Sequence, residues 1–211
     1  MTAYAFYKWF ALIIEASIAI PVLVAVKQWK ILPPALKLAA ALLMSQFVFY
    51  LIQDVFLYFG RSNLFLYYFF SIASHTLSCL FFIRVLKSKT EKRLVSLLLV
   101  LGYGLLLIDY QSVALKSINY VSSILLSILV FLLSLYSLYR YSAKFSPPLL
   151  YILIGLALQF LLWAINLLAN ELFLQSQSYA ILWLNEKIIF YYLLLGVFAL
   201  YTFAFYSHEK K

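Results

Sequence analysis

Polar residues in this chain fall in short clusters. Between them run seven apolar stretches, at residues 4–26, 34–59, 63–86, 94–113, 117–139, 148–171 and 180–206. Each has about 20 residues or more, the length a helix needs to cross the hydrocarbon core of a bilayer. None alternates apolar and polar positions as the wall of a membrane barrel would. The pattern predicts an all-α polytopic membrane protein, with seven transmembrane helices forming one domain over residues 1–211. Links are short, so neighbouring helices are expected to be antiparallel. The first stretch reads as a retained helix and not a cleaved signal. Lys8 lies inside its aromatic start, Glu15 interrupts the apolar run, and no clear small-residue cleavage site follows.

Composition agrees. The chain is 66% hydrophobic and 11% charged, with a mean hydropathy of +1.00. Soluble domains average about 45–50% apolar and about 25% charged. A net charge of +9 would suggest nucleic acid as a partner in a soluble protein. Here the cations sit in short loops beside apolar spans, which points to topology instead, so no nucleic-acid partner is expected. With the N-terminus outside, twelve Lys and Arg fall on the inner side and three (Lys8, Arg61 and Lys116) on the outer, while Lys187 lies within the seventh span. The positive-inside rule then gives N-out, C-in, which in a bacterium means the inner (plasma) membrane with a cytoplasmic C-terminus.

Two loops carry one pattern. Residues 30–36 read KILPPAL and residues 144–150 read KFSPPLL. Both fall on the inner side, where a helix starts outward, and proline costs little in a first helical turn. Each apolar stretch that follows holds Gln-Phe near its middle, at Gln46-Phe47 and Gln159-Phe160. Spans 1–3 and 5–7 are therefore expected to be parallel copies joined by span 4. That 3+1+3 layout is similar to the SWEET and PnuC transporters and, in helix number, to opsin-type receptors. Parallel repeats are a known transporter plan.

Candidate chemistry lies in polar residues set among apolar ones, which are costly in lipid and often functional. Glu15, Gln46, His75 and Gln159 fall near the middles of four different spans. Asp54, Asn166, Asn185, Glu186 and Lys187 form a second set toward the outer third. The expected site is an outward-facing polar cavity floored by the first four, in which Glu15 and His75 share a proton. Asp54 is a depth-matched partner for Lys187. Asp109 and Glu171 lie at outer helix ends and read as solvated. Ser71, Ser74 and Ser78 share a helical face suited to close packing. The competing reading for the two glutamines is structural, as interhelical glue.

One cysteine, Cys79, allows no internal disulfide and no cysteine metal cluster. HExxH, GxSxG, Walker and glycine-rich phosphate motifs are absent, so neither a cofactor nor a metal is expected and the chain does not read as an enzyme. Three stretches carry a resemblance: NLFLYYFFSIASHTLSCLFF (63–82), KILPPALKL (30–38) and LWLNEKIIFYYLLL (182–195). They resemble a group of small bacterial seven-helix proteins of unassigned function, often encoded beside sensor histidine kinases. That group commonly has a histidine and then a glutamate where this chain has Tyr68 and Ser74. The resemblance implies a receptor- or sensor-like protein that passes a small-molecule signal to a cytoplasmic partner or acts as a homo-oligomer. A small-solute transporter or channel is the alternative, and an intramembrane hydrolase a second one.

Overall fold

In a computed structural model, residues 9, 12–14, 16–59, 64–113, 120–174 and 180–207 are described, except for the side chains at 57, 64, 65, 111–113, 120, 170–174 and 180–188. Among them there is no strand. The helices are α1 (Ala19–Lys27), α2 (Pro34–Tyr58), α3 (Leu64–Val85), α4 (Lys89–Val113), α5 (Tyr120–Tyr141), α6 (Pro147–Leu174) and α7 (Ala180–Ser207). Six of them, α2 to α7, are long and apolar enough to cross a membrane, and α1 is shorter. The start of the first expected span lies largely outside the described residues.

Helix starts follow local chemistry. The Lys37 amide donates to Pro33 O at 2.9 Å, which makes Pro33 the cap and Pro34 the first residue of α2. The Leu150 amide donates to Ser146 O at 3.1 Å, so Ser146 caps α6 and Pro147 opens it. The two proline pairs are thus one residue out of phase with their helices. Counted from the first helical residue, Gln46 and Gln159 occupy the same position.

The helix α4 begins at Lys89, ahead of the apolar run at 94. Glu91 reaches back to the residue before the helix, one half of a capping box. The Ser88 amide donates to Glu91 Oε2 at 3.3 Å, and the Lys92 amide donates to Ser88 O at 3.1 Å. Glu91 also accepts from two phenols of α5, Tyr136 at 2.7 Å and Tyr141 at 2.8 Å, which ties the start of α4 to the end of α5. At the other end of this helix pair, Asp109 Oδ2 accepts from the Ser122 amide at 2.9 Å. Ser122 is in the first turn of α5, whose amides have no partner within the helix. Asp109 is therefore a cap for the neighbouring helix and not merely a solvated carboxylate.

Packing runs α1–α2–α3 on one side and α5–α6–α7 on the other. The closest pairings are α5 with α6 and α6 with α7, followed by α2 with α3. α1 also packs on α7, α3 on α5, and α2 touches α6 across the middle. α4 stands outside this ring, mainly against α3. Exchanging α1 with α5, α2 with α6 and α3 with α7 turns each of these ring contacts into another of the same set. Large apolar side chains such as Leu97, Leu101, Leu107 and Ile108 on α4 are exposed, as expected where lipid is the solvent. The end of the bundle where α2 and α6 begin is its proline end, and the opposite one its far end.

Candidate functional site

The centre of the bundle holds a hydrogen-bonded chain through three helices. Tyr201 Oη of α7 donates to Gln159 Oε1 of α6 at 2.7 Å. Gln159 Nε2 donates to Gln46 Oε1 of α2 at 2.6 Å, and Gln46 Nε2 donates to Tyr50 Oη at 3.0 Å. Gln46 is 0% exposed, Gln159 3% and Tyr201 1%. In a low-dielectric interior such a chain is stabilising when its members are satisfied and costly when one is removed. Gly155 makes room for it. A Cβ there would meet the Tyr201 ring at 2.7 Å, so only glycine lets this ring lie against α6.

His75 belongs to a different locus. Its Nε2 lies 3.2 Å from Leu99 O of α4, and Cys79 Sγ lies 3.8 Å from Nδ1. The ring presses on the α4 backbone at Gly102, where a Cβ would fall 2.6 Å from Cε1 and nearer still to Nε2. Tyr103 meets the imidazole edge-on, with centroids 5.9 Å apart, and its hydroxyl lies 2.6 Å from Thr76 Oγ1. Histidine, glycine, tyrosine and threonine thus lock α3 to α4.

The other side of His75 borders a cavity of about 30 Å³ between α3, α5 and α6, room for one or two water molecules. Ser71, Ser74, Ser123, Ser127, Phe70 and Trp163 also line it. Ser71 and Ser123 hydroxyls lie 3.1 Å apart and bridge α3 to α5. Phe70 stacks on Phe49 of α2 at 4.6 Å and lies 5.2 Å from Trp163 of α6, so it stands between those two helices.

Of the expected site residues, the structure joins Gln46 and Gln159 directly and sets His75 apart from them, against α4. Glu15 lies outside the described residues, so its sharing of a proton with His75 does too. Asp54 is half-buried and has no hydrogen-bond partner among the described residues. Asn166 has a buried Oδ1 with no partner. Asn185, Glu186 and Lys187 are on α7, but their side chains lie outside the described set, and with them the pairing of Asp54 and Lys187. Ser71 and Ser74 face α5 and the cavity, while Ser78 Oγ is buried without a partner.

Sequence reasoning missed Tyr50, Tyr201, Trp163 and Gln53. A signal for three of these was present. Residues 46–53 read QFVFYLIQ and residues 159–166 read QFLLWAIN. In both, Gln, Phe and Ile recur in place, an aromatic with a polar tip stands four residues after the Gln, and a carboxamide stands seven after it. Only the Gln-Phe pair stood out from the sequence. Tyr201 had no comparable signal, because 18 tyrosines offer too many candidates.

Among the described residues, no group of three or more His, Cys, Asp or Glu is placed to hold a metal ion. No protein-family model, no curated protein and no solved structure matches the chain.

Proposed function

We propose that this chain is a receptor- or sensor-like integral membrane protein of seven spans, N-terminus outside and C-terminus in the cytoplasm, that takes a small ligand in the outer half of its bundle. The far end is then the outer face and the proline end the inner one. The observation that carries this reading is the Tyr201–Gln159–Gln46–Tyr50 chain. It closes the centre of the bundle, while the serine- and histidine-lined cavity lies from that level toward the far end. A sealed centre with a one-sided polar cavity suits binding and reporting better than passage. On the inner face, Lys87, Lys89, Lys92 and Arg93 offer an anionic partner protein or anionic lipid a compact basic surface.

Swelling of proteoliposomes in urea, glycerol and sucrose tests this. The wild-type protein should admit these solutes no faster than empty liposomes. Faster permeation, lost when the bundle is unfolded, would overturn the sensor reading.

A transporter is the second reading, favoured by one observation. The octets QFVFYLIQ and QFLLWAIN start at the same position of α2 and α6, and the ring contacts survive exchange of the two three-helix units. This is the pattern expected of a 3+1+3 parallel repeat, in which the Gln46–Gln159 bond lies on the pseudo-two-fold axis and acts as a gate.

A further inference from the structure

The two octets make a ladder of matched rungs. Gln46 and Gln159 form the lowest, bonded rung. Four residues on stand Tyr50 and Trp163, and seven on stand Gln53 and Asn166. Seven residues advance a helix by about 10.5 Å and turn it only about 20° from the starting face. Gln53 therefore shares a face of α2 with Gln46, and Asn166 a face of α6 with Gln159, both toward the far end.

The upper rungs differ from the lowest in one respect. Gln53 Oε1, Trp163 Nε1 and Asn166 Oδ1 are all buried, and none has a hydrogen-bond partner among the described residues. Most buried polar groups are paired, so three orphans on two matched faces need an explanation. They form a consistent set of two carboxamide acceptors and one indole donor. The complement is a guest with two donors and one acceptor. None of the three side chains carries a charge, so a charged guest would find no counter-charge in them, whereas a neutral one needs none. Asp54, next to Gln53, points about 100° away around α2.

Phe70 occupies the approach. It stacks on Phe49 of α2, lies against Trp163 of α6 and forms part of the wall of the 30 Å³ cavity. Trp163 already lines that cavity, so a change in the Phe70 rotamer would extend it toward Gln53 and Asn166.

We propose that Gln53, Trp163 and Asn166 form a closed site, gated by Phe70, for a small uncharged solute that presents two N–H or O–H donors and one acceptor, the chemistry of ureas, primary amides and polyols. This rests on the reading that the protein receives a ligand in the outer half of the bundle. The bonded glutamine rung is the floor of the site, and separation of α2 and α6 above it opens the site.

Cysteine accessibility in the full chain tests the proposal. On a Cys79→Ser background, Ser74→Cys, Gln53→Cys and Asn166→Cys are each exposed in sealed vesicles to a membrane-impermeant methanethiosulfonate, with Leu43→Cys as the core control. Gln53→Cys and Asn166→Cys should label about tenfold faster than Leu43→Cys, a difference of about 1.4 kcal/mol in opening. Phe70→Leu should speed both, and urea, acetamide or glycerol should slow both. Labelling of Ser74→Cys alone, with or without Phe70→Leu, overturns this site and leaves the outer cavity standing. No labelling of Ser74→Cys overturns the outer cavity itself. Labelling of 53 and 166 that none of the three solutes slows overturns the assigned ligand chemistry.

Discussion

Adding one methyl group at Gly102 should destabilise the protein, while the same change two residues later should not. A Cβ at 102 would lie 2.6 Å from His75 Cε1 and 2.7 Å from Cδ2, inside any real contact distance. The ring is 2% exposed, with Nε2 3.2 Å from Leu99 O and Tyr103 against its edge, so its room to retreat is the small cavity of about 30 Å³ on its other side. Overpacking of this kind typically costs about 1–3 kcal/mol. Displacing the imidazole from the Leu99 carbonyl adds about 1 kcal/mol. Alanine's better helix propensity returns about 1 kcal/mol. Gly102→Ala should therefore lose roughly 1–3 kcal/mol in all. At Gly104 a Cβ meets nothing within 4 Å, so Gly104→Ala keeps only the propensity gain of up to about 1 kcal/mol. Thermal unfolding of the purified protein in detergent, followed by circular dichroism, would measure both. Removing the ring should relieve the clash, so Gly102→Ala should cost less in a His75→Ala background than in the wild type. Equal stability of Gly102→Ala and Gly104→Ala would refute the idea that His75 docks on the α4 backbone.

Two further outcomes follow from the polar contacts. Gln46→Leu and Gln159→Leu should each cost about 1–3 kcal/mol, because each strands a buried amide of its partner. The double variant should cost less than the sum of the two in the same unfolding assay, and simple additivity would mean the bond is absent in solution. Asp109→Ala should cost about 0.5–2 kcal/mol and speed amide exchange in the first turn of α5, at Ser122 above all, while the proline end of that helix stays protected. Uniformly unchanged exchange would show that Asp109 does not cap α5.

The helical, membrane-type character of the fold was readable from the chain because it depends on run length and composition, which a sequence displays directly. Which polar residues meet was harder, because depth and facing are different quantities. Depth can be counted along an apolar run, and it put Gln46, His75 and Gln159 at one level. Facing depends on helix rotation, and it sends His75 toward α4 while the two glutamines meet each other. Charge near a helix end misleads in a similar way. Glu91 and Asp109 sit where solvation is the default expectation, yet both are bound, one by two phenols and the other by an amide of the next helix.

Glycine gives a third case. Gly102 and Gly104 differ by two positions in one helix, and nothing in the sequence separates them. Only the ring of His75 does, and it arrives from α3. The same holds for Gly155, which seats Tyr201, against Gly196, which meets nothing. In each half of the bundle a buried polar ring lies against a bare stretch of backbone on a neighbouring helix. On the α3–α4 side that ring borders the polar cavity, and on the α6–α7 side it begins the central hydrogen-bonded chain. The two glycines therefore set how closely α3 approaches α4 and α7 approaches α6, and a methyl group at either should lower stability.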